Sequence, residues 1–138
     1  MDKMRLSIHG SRSLGDERVK IIILETIEKY KPSVIVTHGE PDGVCSVARD
    51  VCREFAIPLK LHYLNFKYLK GAFEHRSIEV INDCTHCLFI HDGESKGTSN
   101  EMVLAKKKNK KCDVFVIEKS KYKKSVGFDN DWDSVGVL

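Results

Sequence analysis

The chain has 138 residues, 41% of them hydrophobic and 31% charged, and a formal net charge of +3. These values suit a single domain with a full core and an ordinary globular composition. No apolar run approaches the roughly 18 residues of a membrane-spanning helix, and the first residues lead directly into a predicted strand without a secretory signal. We therefore expect a cytoplasmic protein without a membrane partner.

Short apolar runs alternate with segments of helical periodicity along the chain. The apolar runs predict strands over residues 5–9, 34–37, 59–64, 87–91 and 113–117. The helical spacing predicts helices over residues 17–30, 44–55, 72–82 and 99–108. This alternation, with short connections, predicts an α/β fold: a Rossmann-like three-layer sandwich around a five-stranded, mostly parallel sheet in the order 3-2-1-4-5.

These elements define a predicted domain over residues 1–118, followed by a polar C-terminal extension over residues 119–138 that we expect to be loop or partly mobile. Lysines concentrate in the last third of the chain, at 106–111 and 119–124. Such runs can follow a nucleic-acid backbone, but solvated helix ends and loops are their more frequent setting. The lysines leave nucleic-acid binding open without favouring it.

Five cysteines, an odd number without disulfide-like spacing, indicate a reducing compartment. Cys84 and Cys87 form a CxxC, but no second pair stands at zinc-site spacing, and Cys87 begins an apolar run. His9, His38 and His91 end predicted strands, where they could bind a metal, act as acid or base, or serve as hydrogen-bonded scaffold. We favour scaffold for at least two of the histidines, and we expect no metal and no cofactor.

Two small-residue turns follow predicted strands 1 and 4, namely Gly10-Ser11-Arg12 and Asp92-Gly93, and the second leads to Gly97-Thr98. In the predicted order, the switch point lies between these two strands, and ligands bind in the crevice at such a point. Unsatisfied N–H groups and the helix dipole favour an anion there, and Ser11 and Arg12 could donate to a phosphate. The sequence therefore predicts a phosphorylated ligand, such as a nucleotide.

Several of these residues also have ordinary structural explanations. Asp92 could accept from a ribose hydroxyl or form an Asx-type turn before Gly93. Glu101 could orient water or stabilise an oxocarbenium-like centre, but Thr98-x-x-Glu101 is also a capping box with Thr98 as N-cap. Arg76, in the middle of a predicted helix, is by itself most typical of a surface ion pair. Aromatic side chains near strand 3 could stack on a base or belong to the core: Tyr63, Phe66 and Tyr68.

Taken in order, these motifs resemble the SLOG superfamily, most closely its YspA/YpsA-related branch, over roughly residues 5–118. The matching segments are Gly10-Ser11-Arg12, His38-Gly39, Asp42-Gly43, His75-Arg76, 89–93 and 96–101. The chain departs from the relatives at Glu94-Ser95-Lys96, which replaces a Pro-Gly-Gly, and at Glu40-Pro41-Asp42, where relatives tend to have Gly-Ala-Arg.

The resemblance implies a Rossmann-like domain that binds nucleotides or nucleotide-derived ligands and often self-associates. It adds His38 and Gly39 to the candidate ligand-binding residues, and it implies a homodimer, for which Phe128 and Trp132 are candidate contacts. Relatives include LOG enzymes, which cleave nucleoside monophosphates to base and ribose 5-phosphate, and Smf/DprA proteins, which bind single-stranded DNA. By similarity to the LOG enzymes, Glu101 and Arg76 would be catalytic.

Three functions follow as hypotheses. We expect a sensor or binding protein that holds a nucleotide without chemistry. The first alternative is a phosphoribohydrolase-like N-glycosidase acting on nucleoside monophosphates. The second alternative is single-stranded nucleic-acid binding, which would require the lysine-rich segments to face the crevice.

Overall fold

The computed structural model describes residues 4–64, 67 and 71–117. The strands are β1 (Arg5–Gly10), β2 (Val34–His38), β3 (Leu59–His62), β4 (His86–His91) and β5 (Lys111–Val116). The helices are α1 (Glu17–Tyr30), α2 (Gly43–Glu54), α3 (Ala72–Asn82) and α4 (Lys96–Lys107). No helix within these residues is both long and apolar enough to cross a membrane. Phe66, Tyr68, Phe128, Trp132 and the 119–138 extension lie outside the described residues.

All five strands are parallel and lie in the order β3-β2-β1-β4-β5. The predicted α/β class and strand order are thus confirmed. Strand ends differ from the predicted bounds by up to two residues, because pairing with a neighbouring strand decides where a strand begins and ends. Lys111, for example, belongs to β5 because it pairs with His86 of β4, although its side chain is polar and exposed.

Helix α4 begins three residues earlier than the predicted residue 99. Its N-cap is Ser95, whose hydroxyl oxygen accepts a hydrogen bond from the N–H of Thr98 at 3.3 Å. The prediction that Thr98 is the N-cap is therefore wrong. The reason is that Ser95 offers the same capping chemistry one turn earlier, and the helix extends back to it.

The sheet separates two unequal cores. Leu6 and Ile8 of β1 point toward α1 and α2, where they belong to a large apolar cluster. Because side chains alternate along a strand, Ser7 and His9 point toward the other face, which α3 and α4 cover. The apolar cluster on that face is smaller and is built around Phe89 and Ile81. The space that remains beneath α3 and α4 holds buried polar side chains of the sheet.

Candidate functional site

A cavity of about 410 Å³ opens at the carboxyl ends of β1 and β4. Its walls come from the loops after β1 and β4, from α3 and from the first turns of α4. This is the switch point of the sheet, since the chain leaves β1 toward β2 and leaves β4 toward β5. The sequence-predicted site residues that line the cavity are Gly10, Ser11, Arg12, His38, Arg76, Asp92, Gly97, Thr98 and Glu101.

Two predicted ligand-binding residues lie outside this lining. Gly39 lines an adjacent cavity of about 230 Å³, in which Tyr63 also takes part. Gly93 is exposed and has a φ of +89°, a conformation that favours glycine. Its N–H donates to Nδ1 of His91 at 2.7 Å. Gly93 therefore shapes the turn after β4 and does not line the cavity.

Asp92 organises the loop between β4 and α4. Its Oδ1 accepts from the N–H groups of Glu94 and Ser95, both at 2.8 Å, and its Oδ2 accepts from the hydroxyl of Ser13 at 2.7 Å. The N–H of Asp92 donates to the hydroxyl oxygen of Ser11 at 3.1 Å. Burial alone would raise the pKa of Asp92. These hydrogen bonds lower it by more than burial raises it, so the net shift of the pKa is downward. The Asx-type turn is thus present, and Asp92 ties the loops of β1 and β4 together.

Two arginines converge on Glu40, which sequence reasoning did not include among the site residues. Oε2 of Glu40 accepts from Nη2 of Arg76 at 2.9 Å and from Nε and Nη2 of Arg12 at 3.2 and 3.1 Å. Arg76 is buried, whereas the side chain of Arg12 is 60% exposed. The expectation of a surface ion pair for Arg76 is therefore half correct, because the pair exists but is buried. One sign of Glu40 was available in the sequence: Glu40-Pro41-Asp42 departs from the Gly-Ala-Arg that is usual in the family that the motifs resemble.

The Arg12–Glu40–Arg76 cluster separates the two cavities, since all three residues line both of them. Nε of Arg76 is buried and has no hydrogen-bond partner among the described residues. A guanidinium carries five N–H donors, so one carboxylate oxygen leaves part of this donor set unused. The cluster thus holds one carboxylate between two guanidinium groups at the wall of the cavity.

Glu101 projects from the second turn of α4 into the buried polar layer beneath α3 and α4. Oε2 of Glu101 lies 2.7 Å from Nε2 of His38, and Oε1 lies 3.3 Å from Nδ1 of His9. Because α4 begins at Lys96, Glu101 is too far along the helix to close a capping box. Burial raises the pKa of Glu101, but attraction to His9 and hydrogen bonding to His38 outweigh burial and lower it. The capping-box alternative for Glu101 is therefore wrong.

The three histidines do not form one cluster. His9 is fully buried, and its Nε2 lies 2.7 Å from the hydroxyl of Ser7. His91 contacts a different residue of α4, since its Nε2 lies 2.7 Å from the hydroxyl of Ser99. Nδ1 of His9 and Nδ1 of His38 are buried atoms without a hydrogen-bond partner among the described residues. Only His9 and His38 therefore share a partner, and that partner is Glu101.

An aromatic side chain at the rim, Phe73 of α3, was missed as a site residue. It lines the cavity although 54% of its surface is exposed. The guanidinium of Arg76 lies 5.4 Å from the centre of its ring. Tyr63, which the sequence suggested for base stacking, is exposed and lines the adjacent cavity. The apolar spacing of α3 gave no sign that Phe73 would face outward at this rim.

The two glycines of the predicted phosphate turns differ in their surroundings. A Cβ on Gly10 would lie 2.4 Å from a methyl carbon of Val44 and 2.6 Å from the carbonyl oxygen of Ile90, so packing requires a glycine there. A Cβ on Gly97 would meet no heavy atom within 4 Å. Gly97 therefore leaves open space at the cavity wall, in the first turn of α4.

The described lysines of the 106–111 group lie at the end of α4 opposite the cavity. The helix has 12 residues, and its length is about 18 Å at 1.5 Å per residue. The lysines at positions 119–124 lie outside the described residues. Lys107 nevertheless lines another cavity of about 540 Å³ together with Phe73, Gly97 and Glu101, which also line the switch-point cavity. Single-stranded nucleic-acid binding therefore stays a hypothesis.

The CxxC lies at the amino end of β4, away from the cavity. All five cysteines are free thiols, and Sγ of Cys84 lies 3.5 Å from Sγ of Cys87. The hydrogen bond with Cys87 lowers the pKa of Cys84 to about 7, and the same bond together with burial raises the pKa of Cys87. Both side chains are buried against the smaller core. Burial was predicted for Cys87, which begins an apolar run.

Comparisons with protein-family models, with curated proteins and with solved structures found no match to this chain. The resemblance to the SLOG superfamily therefore stays a prediction from the motifs.

Proposed function

We propose that the cavity at the switch point binds a nucleotide or nucleotide-derived ligand that carries a single phosphate group. The observation that supports this most directly is the convergence of Arg12 and buried Arg76 on one carboxylate at the cavity wall. The cavity volume of about 410 Å³ falls within the range of about 300–1,000 Å³ that is usual for small-molecule sites.

The geometry around Glu40 indicates that this part of the cavity can bind an oxyanion group of the ligand. Its carboxylate is already held by donors from the β1 loop and from α3. Carboxylate and phosphate oxygens are bound by guanidinium groups in the same way. A phosphate could therefore compete with Glu40 for the guanidinium N–H groups of the largely exposed Arg12.

The balance of charges in the cavity disfavours a triphosphate. Two arginines line the cavity together with three carboxylates: Glu40, Asp92 and Glu101. A chain of phosphates would bring more negative charge than the two guanidiniums can neutralise.

Other side chains of the cavity suit the base and sugar of such a ligand. Phe73 presents an exposed aromatic ring at the rim, and stacking on aromatic rings is tolerant of base identity. Thr98 and Glu101 lie deeper in the lining and provide polar partners for sugar hydroxyls. The ligand would thus place its phosphate at Arg12 and Arg76, and its base and sugar against Phe73, Thr98 and Glu101.

Binding can be tested by thermal unfolding of the full chain with a panel of nucleoside mono-, di- and triphosphates. A ligand at 100 times its dissociation constant adds about 2.7 kcal/mol, which corresponds to a rise in Tm of roughly 6–12 °C for a domain of this size. We expect the largest rise with a nucleoside monophosphate. Substitution Arg12→Ala should abolish the rise without unfolding the protein, because this side chain is largely exposed.

Arg53→Ala is the matched control, since Arg53 is an exposed arginine that pairs with Asp50 on α2 and lines no part of the cavity. The control should respond to the ligand like the wild type. A panel that produces no shift at all, or a shift that Arg12→Ala leaves intact, would remove this cavity as the nucleotide site.

A second candidate function is N-glycosidic cleavage of a nucleoside monophosphate. Glu101 favours it, because this buried carboxylate lines the cavity and is held in place by His38. A carboxylate so placed could stabilise an oxocarbenium-like centre or orient water. Release of free nucleobase by the wild type, lost in Glu101→Gln while binding persists, would support cleavage. Binding without release in the wild type would leave the protein a sensor or binding protein.

A further inference from the structure

Three buried donor groups from different elements meet beneath α4. His9 is the penultimate residue of β1, His38 is the last residue of β2, and Glu101 projects from α4. One donor atom from each of the three side chains lies within 4.8 Å of the other two. All three side chains are at most 9% exposed. Two imidazoles and one carboxylate are a ligand set that divalent transition metals use.

Each of the two imidazoles has one ring nitrogen that makes no hydrogen bond to the described residues. Nδ1 of His9 and Nδ1 of His38 are buried without a hydrogen-bond partner among the described residues. Nδ1 of His9 faces Oε1 of Glu101 at 3.3 Å. A metal ion beside Nδ1 of His9 would bind both this nitrogen and the carboxylate of Glu101.

The surroundings of His9 resemble the outer shell of a metal ligand. Its Nε2 lies 2.7 Å from the hydroxyl of Ser7, and its ring stacks on Phe89 with centres 4.6 Å apart. Such a hydrogen bond on the second ring nitrogen fixes the tautomer and the ring plane of a ligating histidine. Nδ1 of His9 is therefore held in the direction of Glu101.

We propose that His9, His38 and Glu101 bind one divalent first-row transition-metal ion, through Nδ1 of His9, Nε2 of His38 and the carboxylate. Imidazole ligands favour ions such as Zn²⁺, Co²⁺ or Fe²⁺ over Mg²⁺ and Ca²⁺, which prefer oxygen ligands alone. Three protein ligands leave a coordination position for water or substrate. Because His38 and Glu101 line the cavity, that position faces it.

The distances are close to those of a bound state. Donors around one ion at about 2.0–2.2 Å lie about 3–3.5 Å from one another. The two contacts of Glu101, at 2.7 and 3.3 Å, are near this range. The third edge of the triangle, between the two imidazoles, would need to shorten from at most 4.8 Å.

This inference goes beyond the proposed nucleotide binding and does not depend on it. The metal would use His9, His38 and Glu101, whereas the phosphate would be held by Arg12 and Arg76. While it is bound, Glu101 serves as a ligand and cannot also act directly on a sugar. Metal binding and nucleotide binding can therefore fail separately, and the tests below use no nucleotide.

The first experiment is titration of the full, metal-stripped chain with Co²⁺, followed by visible absorption and by isothermal calorimetry. We expect one ion per chain, with the d–d bands of a nitrogen and oxygen environment and no near-ultraviolet charge-transfer band from sulfur. In the NMR spectrum, the ring signals of His9 and His38 should be the histidine signals most shifted by the paramagnetic ion. This wild-type result does not depend on any variant folding.

Variants then separate this site from one competing set of metal ligands, the cysteines around Cys84. Glu101→Gln and His38→Ala should weaken Co²⁺ binding at least tenfold, an effect of the size usual for lost metal ligands or their supports. Cys84→Ser and His86→Ala are matched controls at the amino end of β4, opposite the carboxyl ends of the strands, and they should bind Co²⁺ like the wild type.

The proposal is overturned if the wild type binds no Co²⁺, if the bound ion shows a sulfur charge-transfer band, or if Cys84→Ser abolishes binding while Glu101→Gln retains it. It is also overturned if the paramagnetic shifts fall on histidines other than His9 and His38. One ion per chain with shifted His9 and His38 signals establishes the site, whatever the stability of the variants.

Discussion

Glu40 accepts from two arginines that belong to different elements, and one of those arginines is buried. Its charge therefore has two opposite effects. It stabilises the free protein by pairing the buried guanidinium of Arg76, and it occupies donors that an anionic ligand would use. Residues of this kind are difficult to recognise from sequence, because a glutamate in the loop after β2 is ordinarily solvated.

Glu40→Gln should show these two effects with opposite signs. We expect the free energy of unfolding of the free protein to fall by about 1–3 kcal/mol, since glutamine keeps an acceptor but loses the charge. Affinity for a nucleoside monophosphate should rise by about tenfold, because one negative charge leaves the cavity. Urea unfolding and calorimetry measure the two quantities. Glu54→Gln on the exposed end of α2 is the control, and weaker ligand binding by Glu40→Gln would contradict this account.

The two turn glycines should respond differently to alanine. Gly10→Ala should lower the free energy of unfolding by about 1–3 kcal/mol, because its methyl group would overlap Val44 and the backbone of β4. Gly97→Ala should leave stability within about 0.5 kcal/mol or raise it slightly, because the added methyl meets open space and alanine favours the helix.

Gly97→Ala also tests where the ligand lies. A methyl group on this wall should weaken binding of a nucleoside monophosphate by about fivefold, or about 1 kcal/mol, if the phosphate or sugar approaches the start of α4. Calorimetry on the folded variant gives the answer. Unchanged affinity would show that the ligand does not contact Gly97.

At the scale of elements, α3 contributes a buried arginine, Arg76, to the cavity, and the far end of this helix is fixed by Asp83. This carboxylate follows the last residue of α3 and binds Arg5 of β1 as well as Lys60 and His62 of β3. Burial raises the pKa of Asp83, but the bonds with Lys60, His62 and Arg5 lower it to about 2. Asp83 thus attaches the end of α3 to two strands.

The depressed pKa of Asp83 makes the attachment of α3 dependent on pH. The pKa is lower in the folded state than the ordinary value of about 3.9, so the stabilisation is fully present above that value and is lost as pH falls toward 2. We expect Asp83→Asn to be less stable than the wild type by about 1–2 kcal/mol at pH 6, allowing for solvent screening. The difference should shrink at pH 2.5, and urea unfolding at both pH values measures it. An equal difference at both would contradict the assignment.

The bounds of most helices could be predicted, because apolar residues recur on one face of each. Helices α1 and α3 span the predicted residues. The start of α4 could not be predicted in the same way, since Ser95 and Thr98 are both good N-caps and local sequence does not decide between them. That choice determined whether Glu101 closes a capping box or enters the buried polar layer.

At the scale of the whole molecule, the strand order and the location of the crevice follow from the alternation of elements and from right-handed crossovers. Nine of the predicted site residues line one cavity for this reason. The partners within the cavity could not be predicted. The pairing of Glu40 with two arginines, and of Glu101 with two histidines, depends on side-chain positions that no periodicity encodes.

The distribution of charge over the molecule predicts a weak dependence of ligand binding on salt. A nucleoside monophosphate held by two arginines should lose about tenfold or less in affinity between about 50 and 200 mM salt. A protein that follows a nucleic-acid backbone with 6–10 contacts loses about 10³–10⁵ over the same range. Calorimetry with the monophosphate and fluorescence anisotropy with a single-stranded oligonucleotide measure the two. Tight, steeply salt-dependent oligonucleotide binding would instead favour the nucleic-acid hypothesis.

The unequal cores on the two faces of the sheet determine which wall of the cavity is free to move. Among the described residues, fourteen buried side chains form the cluster beneath α1 and α2, and five form the cluster beneath α3 and α4. Opening the smaller core exposes less apolar surface, so the amide protons of α3 should exchange with deuterium through local openings that leave α1 and α2 closed. Arg76 would then move with α3 to admit a ligand, while Ser11 and Arg12, in the loop after β1, would stay in place.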